Sequence, residues 1–134
     1  MIERKYILYV DDLENQISFK ALFRRKFPIF TVSDLTKAKE IVSRYPIKIL
    51  LYNQSSSALN AEAFLNWIKN YDTEIVRILI FGSRFLKSEN SQNNPQKLAH
   101  HCLYKPWKTK EMESVLSQWW DSKNQIENHE STTR

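Results

Sequence analysis

The sequence predicts a protein of the α/β class, built around a parallel sheet with helices on both faces. Five short β-prone runs alternate along the chain with segments whose apolar residues recur at helical spacing. The runs at residues 6–10 and 75–81 are almost continuously apolar, which is typical of strands buried on both faces. Strands that alternate with helices are joined by right-handed crossovers, so all five strands are expected to run parallel.

The first half of the chain contains three of the predicted strands, at residues 6–10, 29–32 and 47–52. The apolar positions of the helix between the first two are Ile17, Ala21, Leu22 and Phe23. The next helix has Ser33 or Asp34 as its N-cap, because short polar side chains satisfy the first free amides of a helix. Its apolar positions are Leu35, Ala38, Ile41, Val42 and Tyr45.

The second half is predicted to hold the other two strands, at residues 75–81 and 102–104. The helix before the fourth strand is capped by Asn60, and its apolar positions are Ala61, Phe64, Leu65 and Ile68. Residues 86–97 are polar, so a fourth helix is expected to be short or irregular. The last helix is capped by Thr109, and its inward positions are Met112, Val115, Leu116 and Trp119.

Composition narrows the class of protein and its partners. Residues 1–120 are expected to form one domain, and the polar residues 121–134 a disordered tail. No apolar run is long enough to span a bilayer, so we expect a cytoplasmic protein without a membrane partner. The single cysteine, Cys102, rules out an internal disulfide. The net charge of +5 is not accompanied by a basic-aromatic motif, so nucleic acid is not an expected partner.

Three short polar motifs follow predicted strands, at the edge where the chemistry of parallel sheets is usually found. The acidic pair Asp11-Asp12 follows the first strand, Asn53 ends the third in "ILLYNQ", and Lys105 follows the fifth in "YKPW". In this order the motifs resemble the CheY-like receiver domains of bacterial response regulators, over roughly residues 5–120. The resemblance implies a flavodoxin-like sheet in the order 2-1-3-4-5, flanked by five helices.

The resemblance also implies roles for individual positions. In receiver domains the acidic pair binds Mg²⁺, an aspartate ending the third strand accepts a phosphoryl group from a histidine kinase, and a lysine contacts the phosphate. Asp11, Asp12 and Lys105 match these positions, but Asn53 stands in place of the phosphoacceptor. An amide does not form the acyl phosphate that a carboxylate forms. The chain therefore resembles a pseudo-receiver, with no catalytic residue and no enzymatic activity.

Two further positions depart from the receiver pattern. Receivers carry a small hydroxyl residue at the end of the fourth strand and a switching aromatic residue on the fifth. Here Phe81 and Cys102 stand at those positions, unless a one-step offset brings Ser83 near the first. Because a large and a small side chain are exchanged, we expect Phe81 to fill the volume of the missing aromatic ring and to lock one state. The alternative is neutral drift after phosphorylation was lost.

The remaining pocket residues leave two hypotheses open. Asp11 and Asp12 bind Mg²⁺ weakly, or they form a solvated pair at a helix start, where negative charge is favourable. No other cofactor is expected. Lys105 is expected to pair with one of the two aspartates, and Asn53 to accept from Lys105 and donate to an aspartate.

The leading hypothesis is a phosphorylation-independent interaction domain of two-component signalling. Its partner would be a histidine kinase, an output protein or a second copy in a homodimer. The interface is expected at Tyr104, Trp107 and Trp120, since exposed aromatic residues are enriched at binding surfaces; alternatively, both tryptophan rings cover the C-terminal helix.

Other hypotheses are a receiver with a substitute acceptor at residues 55–57 or Asp12, an Mg²⁺-dependent phosphatase-like enzyme, and a sensor of small molecules.

Overall fold

The computed structural model describes residues 3–54, 58–82 and 95–121. One sheet is formed by five strands: β1 (Tyr6–Val10), β2 (Ile29–Val32), β3 (Ile47–Gln54), β4 (Val76–Phe81) and β5 (His101–Tyr104). All neighbouring strands are parallel, and their order is β2-β1-β3-β4-β5. The predicted fold class and strand order are therefore confirmed.

The helices within the described ranges are α1 (Leu13–Phe23), α2 (Leu35–Arg44), α3 (Ala58–Tyr71) and α4 (Thr109–Trp120), together with a 3₁₀ segment at Pro95–Leu98. The 3₁₀ segment lies where the sequence predicts a short or irregular fourth helix. The prediction of five flanking helices is thus close to the four α-helices and one 3₁₀ segment of this part of the chain.

Two hydrophobic cores cover the two faces of the sheet. Side chains alternate along β1, so that Leu8 and Val10 join the core with α2 and α3, whereas Ile7 and Tyr9 join the core with α1 and α4. Because helices cover both faces, the central strands have no polar face. This burial explains why their sequences are nearly continuous apolar runs.

The inward face of α1 differs from the predicted one. Three of the four apolar residues predicted to define it are exposed: Ile17, Ala21 and Leu22. The buried residues are Gln16, Phe19 and Phe23. The Phe19 ring packs against Tyr9 with 4.2 Å between centroids, and this aromatic contact fixes the helix face. Gln16 is tolerated inside because its side-chain amide donates to the Asp11 carbonyl at 2.8 Å.

The ends of the strands differ from the predicted ones by one or two residues. β3 continues to Gln54, so Asn53 lies inside the strand and pairs with Ile80 of β4. β4 begins at Val76 rather than at the residue before it, and β5 begins one residue earlier than predicted, at His101. The longer β3 places the polar residues that follow its apolar run within the sheet instead of in a loop.

The helix starts were predicted with mixed success. Asp34 is the N-cap of α2, where its carboxylate accepts from a backbone amide two residues further at 2.7 Å. α3 begins at Ala58, so the prediction of Asn60 as its N-cap is wrong; the alanine and leucine before Asn60 are strong helix formers that extend the helix. α4 begins at Thr109, so the prediction of Thr109 as its N-cap is wrong by one residue; the N-cap position is Lys108, whose backbone N–H donates to a glutamate three residues further.

Some predictions concern segments that lie outside the described residues. They are the tail beyond Asp121, most of the polar segment before Pro95, the alternative hydroxyl at Ser83, and the substitute acceptors at residues 55–57. Among the helices that are described, none is both long and apolar enough to cross a membrane.

Candidate functional site

The carboxyl edge of the sheet brings three of the predicted residues together. Asp11 directly follows β1, Asn53 is the penultimate residue of β3, and Lys105 directly follows β5. Backbone hydrogen bonds fix two of these positions. The Asp11 N–H donates to the Val32 carbonyl at 3.0 Å, and the Lys105 N–H donates to the Phe81 carbonyl at 2.7 Å. The site is therefore held by the ends of strands.

The Asp11 side chain is only 1% exposed and is the centre of the cluster. Its Oδ1 atom accepts three hydrogen bonds, from Asn53 Nδ2 at 2.8 Å, Asn15 Nδ2 at 3.1 Å and the Asp12 backbone N–H at 2.7 Å. Such donors compensate a carboxylate for the loss of water. Asn53 thus donates to an aspartate as expected, but within the described residues it accepts no hydrogen bond from Lys105.

The other carboxylate oxygen, Asp11 Oδ2, faces a tyrosine hydroxyl and a lysine. The Tyr9 hydroxyl donates to Oδ2, and Lys105 Nζ lies 3.8 Å from the same atom. Burial, followed by the hydrogen bond to Asp11, raises the pKa of the Tyr9 hydroxyl well above its usual value. Tyr9 therefore keeps its proton at neutral pH and acts as a donor. Lys105 supplies the ion pair that was expected with one of the two aspartates.

Sequence reasoning missed Tyr9, Asn15 and Gln16, which complete the surroundings of Asp11. Tyr9 precedes Asp11 by two residues along β1, a spacing that directs two side chains to the same face of a sheet. Asn15 follows Asp11 by four residues and lies in the first turn of α1, which keeps it close to the end of β1. These two spacings are the signals in the sequence that point to the missed residues.

Asp12 has a different role from its neighbour Asp11. It is exposed and forms the N-cap of α1, where its Oδ1 accepts from the Asn15 backbone N–H at 3.0 Å. This is the arrangement in which a carboxylate meets the positive end of a helix. One aspartate of the pair is buried and the other is solvated, so the two carboxylates do not have equivalent surroundings.

A cation at this edge would compete with the donors around Asp11. Both Asp11 oxygens face N–H or O–H groups, so direct coordination requires at least one donor to turn away. The exposed Asp12 carboxylate faces solvent, and Mg²⁺ is commonly held by one or two carboxylates and several waters. Across the described ranges, no group of three or more His, Cys, Asp or Glu residues could hold a metal ion. The residues present fit Mg²⁺ poorly, and weak binding stays a prediction.

Phe81 and Cys102 lie on the same face of the sheet, in the core with α2 and α3. Phe81 is buried at the end of β4, and its ring stacks on Tyr104 with 5.8 Å between centroids. In the strand register Phe81 lies opposite Tyr104, whereas Cys102 lies opposite Leu79. Cys102 is half-buried, and this burial raises the pKa of its thiol. Tyr104, two residues beyond Cys102, is therefore an aromatic neighbour of Phe81 among the described residues.

The predicted interface residues differ in exposure. Tyr104 is 37% exposed at the end of β5. Trp107 and Trp120 are half-buried against the core with α1 and α4, and their rings lie 6.4 Å from Phe23 and 5.2 Å from Phe27 respectively. Both tryptophan rings therefore cover part of this core, at the C-terminal end of α1, and Tyr104 is the most exposed of the three aromatic residues.

Comparison with known sequences gives one distant relative, and no family model matches the chain. The hydrogenase transcriptional regulatory protein HoxA of Cupriavidus necator is 28% identical over 102 residues, which make up 75% of this chain and 21% of HoxA. The chain thus spans about a fifth of the length of this relative.

Comparison with solved structures gives similar folds over nearly the whole chain. The signal receiver domain of an HD domain-containing protein from Pseudomonas fluorescens Pf-5 has a TM-score of 0.77 at 20% identity, covering 92% of this chain and 99% of that one. An adenylate cyclase from Rhodopirellula baltica has a TM-score of 0.78 at 12% identity, covering 98% of both chains. At these identities the likeness shows the fold, which is the one found in receiver domains.

Proposed function

We propose that this chain is a receiver-like domain of two-component signalling that acts by contact with another protein, without phosphorylation of residue 53. The observation that carries the proposal is the hydrogen bond from Asn53 Nδ2 to Asp11 Oδ1 at 2.8 Å. Where receiver domains carry their phosphoacceptor, this chain has an amide that donates to a buried carboxylate and offers no nucleophilic oxygen. The fold and the similarity to HoxA support the receiver-like part of the proposal.

The surroundings of Asp11 support a pocket that stays in one arrangement. The negative charge of Asp11 is compensated by Tyr9, Lys105 and the amides of Asn15 and Asn53. The pocket therefore needs neither a cation nor a phosphoryl group to balance its charge. Because a ligand shifts a conformational equilibrium only through unequal affinity for two states, a domain without that ligand must work in its ground state.

The partner in this proposal is a protein: a histidine kinase, an output protein or a second copy of the chain. Tyr104 and the exposed parts of Trp107 and Trp120 form the contact, since aromatic side chains contribute strongly to protein interfaces. The domain carries out no reaction of its own, works in the cytoplasm and does not bind nucleic acid. HoxA is itself a transcriptional regulatory protein. In this proposal, the output of the chain is determined by the protein that it contacts.

The phosphatase-like hypothesis gains no support from the described geometry. A nucleophilic aspartate needs a lone pair directed at the substrate, and both oxygens of Asp11 face donors instead. The Asp12 carboxylate is engaged in capping α1.

Treatment with acetyl phosphate and Mg²⁺, followed by intact-mass measurement, tests the proposal. We expect no added phosphoryl group under conditions that label an active receiver domain assayed in parallel. A gain of one phosphoryl group by the unaltered chain would overturn phosphorylation independence. The variants Asp12→Asn and Ser55→Ala would then show whether a substitute acceptor is responsible.

A further inference from the structure

The outer surface of α1 carries a row of apolar side chains. Leu13 is 67% and Ile17 62% exposed, and Ala21 is exposed as well. These three residues are spaced by four, so they lie in line along one flank of the helix. The buried face of α1 is a different one, formed by Gln16, Phe19 and Phe23. Single exposed apolar residues are ordinary, but a row of them on one helix is typical of a docking surface.

Charged side chains are divided between the two ends of this row. Its N-terminal end is acidic, with Asp12 and Glu14, and its C-terminal end is basic, with Lys20, Arg24 and Arg25. All five residues are exposed, and none forms an ion pair with another described residue. The surface is thus apolar in the middle and opposite in charge at its ends. A partner of uniform charge would be repelled by one end, whereas a second copy in the reversed direction complements both.

We propose that α1 is a self-association surface, on which α1 of one copy packs antiparallel to α1 of a second copy across a two-fold axis at Ile17. With Ile17 at the axis, Leu13 of each copy lies at the level of Ala21 in the other copy. The acidic end of each helix then lies beside the basic end of the other, and the charges flank an apolar seam. A contact that uses the same patch on both copies closes as a dimer and does not extend into a fibre.

The expected dimer is weak because the contact is small. α1 has 11 residues and is about 16 Å long. A single pair of such helices buries less than the roughly 800 Å² per partner of a standard stable interface. The association should therefore depend on protein concentration and weaken with added salt, which screens exposed charges. The surface contains none of the residues of the proposed partner contact, so the inference stands apart from the proposed function.

Disulfide crosslinking tests the position of the two-fold axis. Ile17→Cys places one thiol of each copy at the axis, where two Cα atoms can approach within the roughly 4.4–6.8 Å that a disulfide requires. We expect oxidation to give a covalent dimer at concentrations where sedimentation equilibrium shows the unaltered chain to be partly dimeric. Leu13→Cys should crosslink far less, because antiparallel packing separates the two thiols by about 12 Å along the helices.

Two matched variants distinguish this surface from the rest of α1. Ile17→Glu buries a charge at the axis and should weaken association by about tenfold or more, whereas Leu22→Glu, on another flank of α1, should leave it unchanged. Circular dichroism of each variant verifies that the fold is kept. The proposal is overturned if the unaltered chain stays monomeric throughout the concentration range. It is also overturned if Leu13→Cys or Leu22→Cys crosslinks as readily as Ile17→Cys.

Discussion

The Asn53 side-chain amide donates to Asp11 Oδ1 at 2.8 Å, and this contact joins the ends of β3 and β1 at the carboxyl edge of the sheet. An aspartate at residue 53 would bring a second carboxylate to the same place, where two negative charges repel unless a cation or a proton lies between them. Because the Asn53 amide is neutral, the pocket needs no cation or proton between the two side chains. The stability of the pocket then depends on individual hydrogen bonds, each of which can be tested by substitution.

Asn53→Asp should lower the free energy of unfolding at neutral pH by about 2 kcal/mol or more, because a hydrogen bond to a charged group is lost and a like charge is added. The loss should shrink at acidic pH, where a shared proton relieves the repulsion, and with added Mg²⁺. Urea denaturation at several pH values, with and without Mg²⁺, measures both effects. Asn53→Ala is the matched control, since it adds no charge; an equal response of both variants to Mg²⁺ would contradict the pocket geometry.

Tyr9→Phe removes the hydroxyl that donates to Asp11 and leaves the ring in the core. The free energy of unfolding should fall by about 1.5–3 kcal/mol, the range for a hydrogen bond to a charged group. Urea denaturation measures the loss. Tyr52→Phe is the control, because the buried Tyr52 forms no side-chain hydrogen bond to a described residue and should lose much less.

The same tyrosine should make the protein sensitive to alkali. Its raised pKa means that the native state retains a proton which the unfolded chain releases above pH 10. The stabilisation is therefore fully present below the ordinary tyrosine pKa and is lost as the pH rises above it. In Tyr9→Phe this part of the alkaline loss should disappear, which denaturation at pH 9 and above can detect. A wild-type alkaline profile in the variant would count against a buried Tyr9 hydroxyl.

His100 should destabilise the protein in mild acid. Its Nδ1 accepts from the Arg77 backbone N–H at 2.9 Å, and burial, with the nearby Arg77 charge, lowers the His100 pKa from 6.5 to about 4. As the pH falls below 6.5, His100 becomes protonated in the unfolded chain but stays neutral in the native state. The free energy of unfolding is therefore highest above the ordinary histidine pKa and falls as the pH drops towards 4. The loss is at most about 3 kcal/mol.

Urea denaturation at pH 7 and pH 4.5 isolates this contribution. His100→Asn keeps an acceptor near the Arg77 amide but does not titrate in this range, so it should lose less stability on acidification than the unaltered chain. His101→Asn, a change at the neighbouring histidine, is the matched control and should behave like the unaltered chain. If all three proteins lose stability equally, carboxylates and not His100 dominate the acid response.

The order of the strands followed from the resemblance to receiver domains, and the parallel sheet itself could be predicted because several strands are apolar on both faces. The rotation of α1 about its own axis could not. Gln16 is polar and buried, and Ile17 is apolar and exposed, which is the reverse of the expected pattern. The Gln16 side chain satisfies its amide on the Asp11 carbonyl, a partner that exists only once α1 has packed against β1. An apolar periodicity contains no information about such a contact.

The strand-end residues of the site could also be placed from the sequence, since parallel strands end at a common edge. Their individual surroundings could not. Asp11, which directly follows β1, is buried, whereas Asp12, the N-cap of α1, is exposed, and this difference is a detail of the chain path. The exposure of Trp107 and Trp120 likewise depends on how α1 and α4 pack on the sheet. These are tertiary properties, which residue type and spacing leave undetermined.

Relative to the receiver pattern, the large and the small side chain are exchanged between positions 81 and 102. If the two side chains share one volume, exchanging them back should cost less stability than the two single substitutions added together. Phe81→Thr removes a buried ring that stacks on Tyr104 and should lower the free energy of unfolding by about 3 kcal/mol or more. Cys102→Tyr alone forces a large side chain into the same core and should cost about 1–3 kcal/mol.

In the double variant Phe81→Thr/Cys102→Tyr the new ring should occupy part of the vacated volume, because the two side chains lie on one face of adjacent strands. Its loss of stability, measured by urea denaturation, should be smaller than the two single losses added together, by about 1 kcal/mol or more. Phe19→Thr/Cys102→Tyr is the control, since Phe19 lies in the core on the opposite face and should give additive losses. Additive losses in both pairs would mean that residues 81 and 102 share no volume, and would favour neutral drift as the origin of the exchange.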